Sequence, residues 1–102
     1  MNPNRLSKVI HERVRLAIMS SLVARGRLTF AELKELLDVT DGNLSVHSSI
    51  LEKAGLIAIE KEFVGRKPCT TFAITAQGKK EFARYVKELE QMLRAGSHGK
   101  TE

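Results

Sequence analysis

Residues 40–57 read Thr-Asp-Gly-Asn-Leu-Ser-Val-His-Ser-Ser-Ile-Leu-Glu-Lys-Ala-Gly-Leu-Ile. Leu44 and Leu51 stand two helical turns apart, so they share one face of a helix predicted over 42–54. Thr40 or Asp41 can cap its start, because a short side-chain oxygen satisfies the unpaired N–H groups of a first turn. Gly55 ends it, as a residue that accepts a positive φ. Val39-Thr40-Asp41-Gly42 is predicted as a turn. Before it, Phe30 to Asp38 reads as another short helix, with Leu33, Leu36 and Leu37 inward. Two short helices across a tight turn form a helix-turn-helix.

Upstream, Ile10, Val14, Ile18 and Leu22 recur every fourth residue, with Ala17 beside them. That stripe predicts an amphipathic helix ending near Gly26. Leu28-Thr29-Phe30 is a short extended piece. Downstream the period changes. Leu56 to Lys61 suits one strand and Thr70 to Ile74 a second, while Glu62 to Cys69, with Gly65 and Pro68, reads as the hairpin loop between them. Thr75 can cap a long last helix over 75–95, where Phe82, Tyr85, Leu89 and Met92 form a stripe widened by Val86 and Leu93. The predicted class is α+β, mostly helical: a winged helix-turn-helix with a two-stranded β-hairpin wing and a long C-terminal helix. One domain is expected over 5–95, and residues 96–102 are expected to be a disordered tail.

Bulk properties narrow the function. The chain has 102 residues, 42% of them hydrophobic but only 5% aromatic, so a single modest core must rest on Leu, Ile, Val and Ala. The net charge of +5 and pI near 9.7 favour an anionic partner. That charge is uneven. Arg5 to Arg27 carries six basic residues against one acidic, Leu28 to Glu60 two against six, and Lys61 onward nine against five. No apolar run approaches a membrane span and no signal peptide is visible, so no membrane partner and a cytoplasmic location are expected. Cys69, the single cysteine, excludes an intrachain disulfide.

The outward face of the third predicted helix offers Asn43, Ser45, Val46 and Ser49, with Thr40 at its start. Asn can pair with adenine edges, Ser can bond to a base or a phosphate, and Val can meet a thymine methyl. An ordinary solvated face shows the same residue types; the position between a tight turn and a wing favours DNA. Arg66 and Lys67 at the loop tip can reach phosphates or the minor groove, or merely solubilise the loop. Arg5, Lys8, Arg13 and Arg15 fit either backbone contacts or a solvated face. Lys53 is the only Lys or Arg on the third helix, so guanine readout should be minor. His11, His47, His98 and Cys69 lack metal-ligand spacing; His47 is expected to pack or hydrogen-bond near the helix-turn-helix, and Cys69 to pack at a strand edge. Ser45, Ser48 and Ser49 form no nucleophile elbow and no phosphate-binding loop is present, so neither an enzyme nor a cofactor is expected.

Asp41-Gly-Asn-Leu-Ser-Val-His47 followed by Leu51-Glu-Lys-Ala-Gly-Leu-Ile57 resembles the recognition-helix region of MarR/ArsR-type winged-helix regulators. Phe63-Val-Gly-Arg-Lys-Pro68 with Thr70-Thr71, and Ile74-Thr-Ala-Gln-Gly78, resemble their wing and the start of their last helix. Residues 8–93 are covered, and the nearest likeness is to the compact single-domain subgroup. Ser48 departs from the pattern, standing where such helices carry an apolar residue. The resemblance implies a homodimeric transcriptional regulator with its third helix in the major groove of double-stranded DNA. The dimer is expected to use Phe82, Tyr85, Val86, Leu89, Met92 and Leu93 of the last helix, with Leu6, Val9 and Ile10 packed against it. A winged-helix protein-interaction module is the alternative, favoured by the acidic middle segment. A small-molecule effector is left open.

Overall fold

The computed structural model describes the backbone of residues 2–100 and the side chains of residues 2–96. After a short 3-10 turn at Pro3–Arg5 come α1 (Arg13–Arg25), β1 (Arg27–Thr29), α2 (Phe30–Leu37), α3 (Asp41–Lys53), β2 (Ile57–Val64), β3 (Lys67–Ile74) and α4 (Ala76–Lys100). The sheet is antiparallel in the order β1-β3-β2, so the short extended piece becomes a third strand against the hairpin.

The helix-turn-helix forms largely as its residues dictate. Thr29 and Glu32 make a reciprocal capping box at the start of α2, and the Thr40 hydroxyl accepts the Asn43 N–H at 3.1 Å to start α3. Asp41 and Gly42 lie inside α3 rather than in the turn, which is shortened to Asp38-Val39-Thr40. Asp38 sits in the left-handed region at φ 51°, which Asp tolerates better than most residues. Leu33 is fully buried and Leu37 half-buried, whereas Leu36 is 52% exposed and not inward as predicted. An eight-residue helix presents its inner face through Leu33 and Leu37, one turn apart, and Leu36 falls at its rim.

The first helix is shorter than its stripe implied. Ile10 belongs to a separate turn closed by the His11 N–H donating to the Ser7 carbonyl at 2.8 Å. Glu12, extended at φ −151°, breaks that turn from α1 so that its carboxylate can cap the Arg15 N–H at 2.8 Å. Ile10 still reaches the core and is fully buried beside Ile18, Met19, Leu22, Leu33, Leu44 and Leu51. Ser48 lies inside this apolar set at 2% exposure, with its hydroxyl donating to the Ser45 carbonyl at 3.2 Å. That bond lets a small polar side chain occupy an inward position without an unmet donor.

The wing strands run further than the sequence implied. Val64 pairs with Lys67, leaving Gly65-Arg66 as a two-residue turn in place of an eight-residue loop. Only Gly65 of the two has a positive φ, 67°, the pattern of a type II′ hairpin turn. Cys69 is half-buried on β3, opposite Glu62 and beyond the reach of β1.

At the start of α4 the Thr75 hydroxyl accepts the Gly78 N–H at 2.9 Å and lies 2.8 Å from the Gly55 carbonyl oxygen. The first turn of α4 is thereby tied to the bend that follows α3. Gly78 is required for that approach: a Cβ there would stand 2.0 Å from the Leu56 carbonyl oxygen. The α4 backbone stays helical to Lys100, beyond the end expected near residue 95. Residues 101 and 102 of the expected tail lie outside the described residues. Among the described residues, no helix is long and apolar enough to cross a membrane.

Candidate nucleic-acid interface

Leu44, Ser48 and Leu51 face inward on α3, and that choice turns the rest of the helix out. Asn43, Ser45 and Val46 are exposed and Ser49 is half-buried. Thr40 is exposed at the helix start, its side chain engaged as the cap. Ile50, 37% exposed, shares the outer face with Val46 one turn earlier, and exposed Lys53 extends that face. Ile50 was not singled out from sequence. Its signal was an apolar residue off the Leu44–Leu51 stripe, at the i+4 position from another one.

A groove of about 550 Å³ separates α3 from the wing. Ser45, Ser49 and Glu52 line the helix side, and Lys61 and Thr70 the sheet side, over a floor that includes Phe72. Lys61 and Thr70 are directly opposed on β2 and β3. The sequence reading missed both, because they lay at the ends of the expected strands with nothing to show which way they would face. Arg66 and Lys67 stand at the far end of the hairpin, both exposed. The structure thus places α3 and Lys61 on either side of one groove, with Arg66 and Lys67 beyond its lining at the hairpin end.

The orientation of α3 is held from behind. His47 Nδ1 lies 3.0 Å from the Arg15 guanidinium and 3.5 Å from the Glu12 carboxylate. Arg15 also donates through Nε to the Val9 carbonyl. A neutral ring with a bare Nδ1 accepts from Arg15; a ring protonated there donates to Glu12. Burial alone would raise the Glu12 carboxyl. The backbone N–H groups of Arg15 and Val14, with the charges of His47 and Arg15, outweigh it and hold the carboxyl below its ordinary value. His47 therefore hydrogen-bonds beside the helix-turn-helix, and Arg15 is engaged in that contact. Arg5, Lys8 and Arg13 are exposed, Arg5 at 4.0 Å from Glu88.

One residue before Glu12, His11 Nδ1 stands 2.7 Å from the Tyr85 hydroxyl of α4, whose pKa burial pushes up. Leu6, Ile10 and Tyr85, singled out for contact between copies, are covered by the chain's own core, and Val9, Phe82, Leu89 and Met92 pack partly against it. Val86 and Leu93 remain exposed, at 37% and 66%. Among the described residues, no group of three or more His, Cys, Asp or Glu is placed to hold a metal; the side chain of His98 lies outside them.

The sequence profile of winged helix DNA-binding domains matches residues 14–93. An uncharacterised protein of Methanocaldococcus jannaschii is 33% identical over 85 residues, covering 83% of this chain and 92% of that one. A transcriptional regulator homologue from Pyrococcus horikoshii superposes with a TM-score of 0.82 at 32% identity, over 87% of this chain and 88% of that one. A MarR-family regulator from Silicibacter pomeroyi superposes with a TM-score of 0.64 at 26% identity, over 78% of this chain and 51% of that one.

Proposed function

Because the chain belongs to the winged helix DNA-binding domain family and has the fold of MarR-type transcriptional regulators, we propose that it binds duplex DNA as a homodimer to control transcription. In this reading α3 enters the major groove and the wing lies on the backbone or in the minor groove. The observation that carries it is the uncovered outer face of α3. Asn43, Val46 and Ile50 project there beside a groove bordered by Ser45, Ser49, Lys61 and Thr70. Asn43 offers paired donor and acceptor groups to an adenine edge, and Val46 and Ile50 suit thymine methyls. Lys61 with Arg66 and Lys67 supplies phosphate contacts on the wing side. With Lys53 the only long cation on α3, half-sites containing A·T pairs are favoured, and part of the selectivity comes from DNA shape.

The second copy is assigned to α4, where Val86 and Leu93 lie exposed next to the half-buried Phe82, Leu89 and Met92. Two such helices pairing would bury apolar surface at about 25 cal/mol per Å², a large gain for a domain of this size.

One observation favours a different reading. Leu36 is exposed on α2 beside Glu32 and Glu35, an apolar spot within the acidic part of the chain, as a protein-docking module would present. Titration of a duplex pool with the protein at rising salt separates the two. DNA binding gives a shifted band that weakens steeply with salt, and a docking module gives none.

A further inference from the structure

We propose that Phe63, backed by Pro68, is an apolar wedge that the wing drives between base pairs from the minor groove of duplex DNA. Phe63 is 74% exposed, and Val64 beside it 65%. The other aromatic rings are in use. Phe30 packs on Phe72 with ring centres 5.9 Å apart, and Phe82 on Tyr85 at 6.3 Å. Phe63 adds nothing to the core, so folding does not explain a phenyl ring at this position.

The register places that ring. Ile59 faces Phe72, Lys61 faces Thr70 and Phe63 faces Pro68 across β2 and β3. Alternation puts all three pairs on one face of the hairpin. The innermost pair packs against the core, and the middle pair borders the groove beside Ser45 and Ser49 of α3. Phe63 therefore stands on the α3 side of the wing, about 7 Å further out than Lys61 at the usual rise per residue. Pro68 opposite it has a fixed φ, so the pair forms a stiff, blunt apolar edge.

Charge selects the occupant. On this face Lys61 flanks the edge from the core side and Arg66 stands in the turn beyond it, while Glu62 and Lys67 both point to the opposite face and Glu60 is paired with Arg27 at 2.9 Å. An apolar edge flanked by two cations, with no carboxylate on its own face, suits a polyanion whose interior is apolar, and stacked bases are such an interior. Apolar side chains that enter from the minor groove unstack one base step and kink the duplex by roughly 20–90°. Pyrimidine–purine steps yield most easily, so the wedge would select a TA or CA/TG step flanking each half-site.

The wedge rests on the DNA-binding reading above, and its test separates the two. The full chain is titrated onto duplexes recovered by selection, with 2-aminopurine placed at successive positions outside each half-site. The expected result is an emission rise of about threefold or more at one step, with a bend detected by end-to-end energy transfer. Phe63→Ala should abolish both and weaken binding to TA-flanked sites about tenfold, with little effect where the flank is an A-tract. Phe63→Leu should restore part of the signal. Wild-type binding without unstacking, or equal emission and bend in Phe63→Ala, overturns the wedge and leaves the DNA-binding reading intact. Conversion of a dimer to monomers by Phe63→Ala also overturns it, because the ring would then be covered by a second copy. Failure of the wild type to bind any duplex overturns both readings.

Discussion

Gly78 and Gly42 are both helical, yet a methyl group at each should act in opposite directions. At Gly78 it would collide with the Leu56 carbonyl oxygen at 2.0 Å, and that atom is backbone that cannot step aside. At Gly42 nothing lies within 4 Å. Gly78→Ala should therefore lower stability in urea by about 3 kcal/mol. Gly42→Ala should raise it by about 0.5 kcal/mol by restricting the unfolded chain. A single acid acts on the same scale. The Glu12 carboxyl is held below its ordinary value, so its contribution is complete above the ordinary carboxylate range and is lost as pH falls through the depressed value. Glu12→Gln should flatten that acid limb of the melting-temperature profile between about pH 6 and pH 3. An unchanged limb would show that the α1 cap and its His47 contact carry no pH dependence.

Among the elements, α3 and the wing divide the work of binding. Asn43 projects from the first turn of α3. Asn43→Ala should cost about 1–3 kcal/mol on the preferred duplex and much less on random DNA. Equal losses on both would make Asn43 a phosphate ligand. Arg66 and Lys67 are flexible cations at the hairpin end, suited to phosphates. The double variant Arg66→Ala, Lys67→Ala should lower the magnitude of the salt slope by about 1.8 and weaken specific and random duplexes alike. An unchanged slope would mean that the wing does not touch DNA. The helix-turn-helix was legible because its signals are local: Thr40, the Leu44–Leu51 spacing and Gly55 each act within a turn or two. The length of the wing was not. Gly65, Pro68 and the charges between Glu62 and Cys69 read as a loop, and only pairing with the opposite strand keeps Glu62, Phe63 and Pro68 extended. The contact between His47 and Glu12 was also hidden, since it joins two elements whose packing no local pattern reports.

The whole molecule is elongated. Its radius of gyration is 15.8 Å, against about 13 Å expected for a compact chain of this length. The excess reflects extents of 63 × 26 × 20 Å and an α4 of 25 residues. Leu93, 66% exposed near the described end of that helix, is better suited than the half-buried Leu89 to test pairing without disturbing the core. Sedimentation should find a dimer at micromolar concentration, and Leu93→Glu should shift it to monomer with the circular dichroism spectrum unchanged. A monomeric wild type would contradict the dimer. If two copies pair, two α3 helices face the duplex together, and the geometry of the site becomes the sharpest consequence of the account. The most direct test is therefore selection of bound duplexes from a random pool, with sequencing of the survivors. The account expects a pseudo-palindrome with half-sites containing A·T pairs, their centres about one helical turn apart. No enrichment over the starting pool, or a site without symmetry, would contradict it.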